Sequence, residues 1–513
     1  MSSTNEPRTM AGVVAAAARR WPDKTAIRYG SDSVTYGELE LLGLRYLGQL
    51  QEAGLGEGDA VLVMLDNCID FPAVAAGAAM GGILLVPVNT EYIGQILRHV
   101  LTQSAASVMV TSARFIDRIA DVRPDTLRRI LVIGGLADTG RGPGVTAAEL
   151  GAAGTPAPRT ELAEIAIMYT SGTTGPSKGG VISERHAYEY AAKVADLLSL
   201  TSDDVYYGTL PMFHIAGLWG VVYAAMQRGA ECVLTPRFSV SRFWPDCQGA
   251  GATKTFLLGA MAQFLLRSES APLPGGRMRR MLMVPLIDEL ESFKDRFGVT
   301  VSTCYGSTET NVPLTQPDGT DAQTSTGVGV PRSGFAVRLV RPDGRDAAVG
   351  EVGELWVKAD EVGTTLVRYH RNPEATREVI IDGWVHSGDA FRRTAEGNFH
   401  FVDRLKDALR KRGENISSFE VESEIRSHPA VLECAVVGVA SSDTEQEVAA
   451  FVVLRPGMTA TGEEIRGHVA QRAPGFMVPD HVHFIDEFPQ TPTGKIKKYE
   501  LREMAGLIQP GTP

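Results

Sequence analysis

The chain predicts an α/β fold in three parts: doubly wound layers, a hairpin-rich subdomain after them, and a small α+β domain at the end. Two observations point there. Apolar runs at 60–65, 83–88, 107–110, 130–133, 231–234 and 281–284 read as strands, and helix-period segments at 36–53, 92–103 and 187–198 fall between them. Alternation of this kind builds mostly parallel sheets. The character then changes: 335–340 and 354–358 flank the turn Pro342-Asp343-Gly344 and read as short antiparallel strands of a barrel-like subdomain.

The charged stretch 403–407 follows and reads as an exposed connector. Beyond it come a helix at 419–427, strands at 434–439 and 448–454, a helix at 463–471 and a strand near 482–485. The segment 134–160 is rich in Gly, Ala, Pro and Thr and reads as a loop.

A length of 513 residues, 44% hydrophobic and 22% charged, is that of a soluble globular protein with more than one structural unit. A net charge of −11 argues against nucleic acid as a partner. Cys68, Cys232, Cys247, Cys304 and Cys434 are scattered and odd in number, which suits free thiols in a reducing compartment. The apolar segment 11–18 is short and closes on Arg19-Arg20, so it reads as one face of a first helix and not as a signal peptide. No run is long enough to cross a bilayer and no targeting tripeptide ends the chain. The expected location is cytoplasmic, without integral membrane association.

Four stretches carry chemistry. Tyr169-Thr170-Ser171-Gly172-Thr173-Thr174-Gly175-Pro176-Ser177-Lys178-Gly179 follows the buried run 165–168 and closes on a lysine. Glycines admit an anion to the backbone, hydroxyls and N–H groups wrap phosphate oxygens, and Lys178 adds charge. A flexible linker would have the same composition, but linkers seldom leave a buried strand and end in lysine. It is not the NTPase loop, which needs Gly-Lys-Ser/Thr. Thr303-Cys304-Tyr305-Gly306-Ser307-Thr308-Glu309 has an aromatic ring to stack on a base, a hydroxyl for phosphate and a carboxylate for Mg²⁺. Alone it reads more readily as a polar loop; its place at a second strand end strengthens it. Asp389, in Asp382-Gly383-Trp384-Val385-His386-Ser387-Gly388-Asp389, suits ribose hydroxyls, or equally an Asx turn. Pro489-Gln490-Thr491-Pro492-Thr493-Gly494-Lys495 displays one lysine on a rigid loop, which by itself is also what a solubilising charge looks like.

Together with Thr35-Tyr36-Gly37-Glu38-Leu39 and Leu210-Pro211-Met212-Phe213-His214, these stretches resemble the adenylate-forming superfamily of acyl-CoA synthetases, peptide-synthetase adenylation domains and beetle luciferases, over nearly the whole chain. The resemblance implies two doubly wound layered sheets plus a distorted β-barrel in residues 1–403, a hinge at 404–407, and a small mobile α+β lid at 408–513. It implies ATP, Mg²⁺ and coenzyme A as cofactors and a small-molecule carboxylic acid as substrate, and leaves a homodimer open. Thr170, Ser171, Gly172, Thr173, Thr174, Gly175 and Lys178 would hold the β- and γ-phosphates. Tyr305 with Gly306 would take adenine, Thr308 the α-phosphate and Glu309 the metal, while Asp389 and Arg404 would bind ribose. Lys495 would be the catalytic lysine of adenylation, Lys406 the hinge, Gly413 part of the pantetheine channel, and His214 the junction of acyl pocket and thiol tunnel.

The chain departs from the family pattern in two places. Ser177 replaces the proline before the loop lysine, which should loosen that turn, and Met283-Val284-Pro285-Leu286 replaces Gly-Gly-Ala-Pro-Leu. The latter, with Arg412-Gly413-Glu414-Asn415-Ile416, is similar to the crotonobetaine/carnitine-CoA ligase branch. After Phe213 the residues His214-Ile215-Ala216-Gly217 include no acid to pair with an α-ammonium group, so the acid should lack one. Met212, His214, Ala216, Trp219, Gly259 and Met283 are the expected acyl-pocket residues, for a small to medium, partly apolar acid. The rival readings are transfer to an amine, a carrier-protein thiol or another acceptor, and a non-catalytic nucleotide-binding protein. A carrier domain is not expected after Leu507, and Lys178, Glu309, Asp389 and Lys495 together argue against the binder.

Overall fold

The computed structural model describes residues 8–134, 144–170, 176–272, 274–287, 289–316, 322, 327–404, 408–441, 445–489, 496 and 498–507. The chain divides into two compact units, one of residues 1–90, 101–169 and 179–403, the other of 91–100, 170–178 and 404–513.

Among the described residues, the first unit carries three large sheets. One has seven strands in the order Thr300–Ser302, Arg280–Val284, Lys254–Leu258, Val205–Gly208, Glu231–Leu234, Thr25–Tyr29 and Asp32–Thr35, parallel throughout except for the last hairpin. A second has eight strands, running from Arg368–Tyr369 through Lys178–Ser183, Glu164–Thr170, Leu84–Pro87, Ala60–Met64, Val108–Ser112 and Arg129–Ile133 to Val145–Ala147. One continuous core lies between these two sheets. It takes Val61, Val63, Val108 and Val110 from the second and Ile27, Tyr206, Phe256 and Leu282 from the first, with the helices Met10–Arg20, Tyr36–Glu52, Asp70–Gly81 and Glu184–Leu197 packed among them.

The next residue along each strand of the seven-stranded sheet faces the other way, because side chains alternate. Tyr207, Leu257, Met281 and Met283 therefore join a separate cluster with Phe243, Trp244, Phe293 and Phe297 of the outer helices.

Local chemistry explains the helix starts. Thr35 Oγ1 accepts from Glu38 N at 3.2 Å while Thr35 N donates to Glu38 Oε2 at 2.8 Å, a reciprocal cap that accounts for the Thr-Tyr-Gly-Glu-Leu motif. The first helix begins at Met10 and is tethered by Met10 N donating to buried Glu184 Oε2 at 2.8 Å.

The antiparallel subdomain is an eight-stranded sheet around Leu314, Phe335, Leu339, Leu355, Val357, Phe391 and Phe399. In the second unit, Val431–Ala440 and Gln446–Leu454 pair antiparallel, and His481–Phe484 joins parallel to the latter. Its core is Ala435, Val437, Ala449, Phe451, Phe488 and Leu501. Helices Ser418–Arg426, Gly462–Ala470 and Lys498–Leu507 complete it. The segment 134–160 is not wholly a loop, since Val145–Ala147 pairs parallel with Arg129–Ile133. No helix among the described residues is long and apolar enough to cross a membrane, and all five cysteines are free thiols.

Candidate active site

Ligands of parallel α/β sheets settle at the carboxyl ends of the strands, where helix starts and loops gather. Leu258 and Val284 end neighbouring strands in register. Beyond the end of Thr300–Ser302, Thr303 Oγ1 donates to Met283 O at 2.7 Å. The chain is thus held against the sheet edge as it enters the antiparallel strand Cys304–Ser307.

The following turn is pinned on both sides. Ser307 Oγ accepts from Glu309 N at 3.2 Å and Thr310 N at 3.1 Å. Asn311, at φ +63°, donates through Nδ2 to His186 O at 3.0 Å and Thr364 O at 2.9 Å. Gly306 is required by space, for a Cβ there would lie 2.4 Å from Asn311 O.

Thr308 and Glu309 stand in this turn. Tyr369 hydroxyl donates to Glu309 Oε1 at 2.9 Å, and Leu366 N donates to Glu309 O at 2.9 Å. Burial, with the Glu309 charge beside it, pushes the Tyr369 hydroxyl well above the usual tyrosine range, so it stays a donor. Tyr369 pairs with Gly180 on the strand leaving the phosphate-loop candidate, and a Cβ on Gly180 would lie 3.5 Å from Thr308 Cγ2. A hydrogen-bonded carboxylate oxygen with hydroxyls nearby is a donor set that suits Mg²⁺, which takes one or two protein carboxylates and completes its shell with water and phosphate.

Asp389 is 7% exposed, and Tyr305 hydroxyl donates to its Oδ2 at 2.6 Å. The Tyr305 ring meets Phe391 edge-on at 4.8 Å. Glu354 braces the turn by accepting from Gly388 N at 2.9 Å. The Asx-turn alternative for Asp389 gains nothing from these contacts, since its carboxylate reaches 84 residues back along the chain. Tyr305, Thr308, Glu309 and Asp389 thus gather in the first unit.

Ser171, Gly172, Thr173, Thr174, Gly175, Lys406 and Lys495 lie outside the described residues. The strands end and begin at Thr170 and Lys178 on either side of the loop, and Arg404 ends the strand Phe399–Arg404. Gly413, at φ +80°, follows Arg412 at φ +53° in the two-residue turn between Ala408–Lys411 and Glu414–Ser417. Positive φ at both turn positions matches the twist of a hairpin, and glycine adopts it without strain.

The expected acyl residues divide. Met212 and Trp219 are fully buried in the central core, and Met212 N donates to Asn67 Oδ1 at 3.0 Å. His214 is partly exposed with its ring against Phe213 at 4.7 Å, and Ala216 is half-buried against the central core. A Cβ on Gly259 would lie 2.8 Å from Pro285 O, so that helix start sits tight on the neighbouring strand exit. Met283 packs in the outer cluster, on the sheet face away from Trp219. Strand alternation is the reason, and Val284 takes the inner face instead.

Half-buried Ile215, Leu258, Met261 and Val284 also pack on the central core, and sequence reading passed over all four. Their signal was position: Leu258 and Val284 end parallel strands. Tyr369 and Asn311 were missed as well, and nothing local marks them, because their partners lie 60 and 125 residues away.

A family model described as AMP-binding enzyme matches residues 14–366, and one described as AMP-binding enzyme C-terminal domain matches 420–495. A sulfoacetate–CoA ligase from Cupriavidus necator is 31% identical over 98% of this chain and 99% of its own length. A crotonobetaine/carnitine–CoA ligase from Escherichia coli is 33% identical over 88% of this chain and 89% of its own. The solved amide bond synthetase McbA from Marinactinospora thermotolerans shares the fold with a TM-score of 0.85 at 24% identity, covering 97% of this chain and 99% of that one.

Proposed function

Because the chain belongs to the AMP-binding enzyme family, we propose that it is an ATP-dependent acid–thiol ligase. It joins a carboxylic acid to ATP as an acyl-adenylate, releasing pyrophosphate, and then passes the acyl group to coenzyme A, releasing AMP. The observation that carries this reading is the pairing of Tyr305 with Asp389 and of Glu309 with Tyr369, made by the residues that follow the parallel strand Thr300–Ser302.

The first step brings two anions together, the attacking carboxylate and the α-phosphate. Its barrier falls when positive charge and hydrogen-bond donors meet the charge that develops on the phosphorus and the departing pyrophosphate. No general base is needed, since the acid is ionised at neutral pH. Thr308 donates to the α-phosphate, Asp389 accepts from the ribose hydroxyls with Tyr305 fixing its second oxygen, and the Tyr305 ring stacks on adenine. Lys178 serves the β- and γ-phosphates. Glu309, braced by Tyr369, would hold Mg²⁺, which supplies charge neutralisation to the triphosphate when bound. Lys495 bridges carboxylate and phosphate in the first step and withdraws for the second, with Lys406 as the hinge. Gly413 then lines the thiol channel and His214 stands where it meets the acyl pocket. Half-buried Ile215, Ala216, Leu258, Met261 and Val284 face the acyl group, which favours a small to medium, partly apolar acid without an α-ammonium group.

Exchange of labelled pyrophosphate into ATP, run over an acid panel, tests the first half. Thioester formation with coenzyme A, against hydroxamate trapping alone, tests the acceptor. Acid-dependent exchange followed by a thioester is expected, and nucleotide binding with no exchange for any acid would refute the reading.

A further inference from the structure

Ser177 is where the sequence reading expected a looser turn, and the opposite is found. In the second unit Ser177 is 3% exposed and both of its peptide groups are engaged. Its N–H donates to Glu420 Oε1 at 2.9 Å, its hydroxyl donates to the same oxygen at 2.6 Å, and His99 Nε2 donates to its carbonyl at 2.9 Å. Tyr92, 7% exposed, shares a side-chain hydrogen bond with the Ser177 hydroxyl.

Glu420 is 6% exposed in the first turn of the helix Ser418–Arg426. That helix start is itself held, through Lys498 donating to Ser418 Oγ at 2.8 Å and pairing with Glu422 at 2.7 Å. Burial raises the Glu420 carboxyl above its ordinary range against the pull of the two Ser177 donors.

A buried carboxylate is costly unless donors meet it, and bonds to a charged acceptor are stronger than neutral ones. Fixing the peptide planes before and after Ser177 fixes its φ and ψ, and so the direction in which Lys178 leaves the turn. Proline in this place has no N–H and could not make the backbone bond. Serine has therefore exchanged the rigidity of a ring for a tie to one carboxylate.

We propose that Glu420 is a positioning residue for the phosphate-binding lysine: acting through Ser177, it sets the backbone from which Lys178 reaches the triphosphate. The inference rests on the ligase reading, and its tie comes from the C-terminal segment that also carries Lys495.

Titrating ATP into the full-length chain tests it without relying on turnover. Glu420→Ala and Ser177→Pro should each weaken ATP binding roughly tenfold, the worth of one charge-assisted bond. The double variant should be no weaker than the worse single one, because both break the same tie. Glu420→Gln keeps an acceptor oxygen and should recover most of the affinity. Thioester formation from supplied acyl-adenylate should change by less than about twofold in every variant, since that step holds no triphosphate.

Unchanged ATP affinity in both single variants, additive losses in the double variant, or equal loss in both half-reactions would overturn the proposal. Ser177→Pro leaves the helix untouched, so a folding defect confined to Glu420→Ala cannot imitate the expected pattern. Absence of acid-dependent pyrophosphate exchange in the unaltered protein would refute the ligase reading alone, leaving the binding titration to decide the role of Glu420.

Discussion

At the nucleotide end, Tyr305 and Asp389 are joined at 2.6 Å, and Tyr369 and Glu309 at 2.9 Å. At the proposed acyl end, Ile215, Ala216, Leu258, Met261 and Val284 present half-buried carbon, with Thr209 Oγ1 meeting Met261 Sδ at 3.9 Å. One end is held by directional bonds, the other by volume. Hydrogen bonds demand particular residue types, so the nucleotide end reads as motifs. A carbon-lined wall accepts any side chain of suitable size, so the acyl end does not.

The contrast predicts different kinds of loss. Glu309→Gln should keep the Tyr369 bond but remove the charge offered to the metal, lowering adenylation about a hundredfold. Pyrophosphate exchange measures it, and a loss below about fivefold would blur the contrast. Asp389→Asn should raise the KM for ATP about tenfold with little change in kcat, as expected for a weakened ribose contact. Met261→Ala or Val284→Ala should shift kcat/KM toward larger acids by about threefold to tenfold and leave the KM for ATP alone. Met283→Ala sharpens that test: it should cost about 2–4 kcal/mol of stability in urea melts without altering acid preference, because its side chain lies in the outer cluster. A changed preference in Met283→Ala would return it to the pocket.

The smallest effect on activity is expected from Glu184, which belongs to neither end. Burial pushes its carboxyl up to about 7, with Met10 N–H and Arg159 pulling the other way. Its folded pKa lies above the unfolded value, so the folded state binds the extra proton between about pH 4.5 and 7. Stability should fall as pH rises through that window, by about 3 kcal/mol, and stay level above it. Thermal melts should show Glu184→Gln flattening this slope while catalysis is unchanged.

Strands with strong apolar runs were legible within a residue or two, as in 231–234 against Glu231–Leu234. Val205–Gly208, Val145–Ala147 and the opening strand Thr25–Tyr29 were not, because Gly208, Thr146 and Arg28 interrupt their short apolar runs. The nucleotide motifs were named from sequence, yet the bonds that brace them were hidden. Tyr369 reaches Glu309, and Glu354 reaches Gly388, only after the sheets assemble. Met283 shows the limit most plainly: one step along a strand moves a side chain to the opposite face.

In the proposed mechanism one lysine serves the first chemical step and withdraws for the second. Lys495→Ala, assayed for both half-reactions in one preparation, tests this most directly. Adenylation should fall at least about a hundredfold, the worth of one preorganised charge, while thioester formation from supplied acyl-adenylate stays near that of the unaltered protein. Equal loss in the two would contradict it.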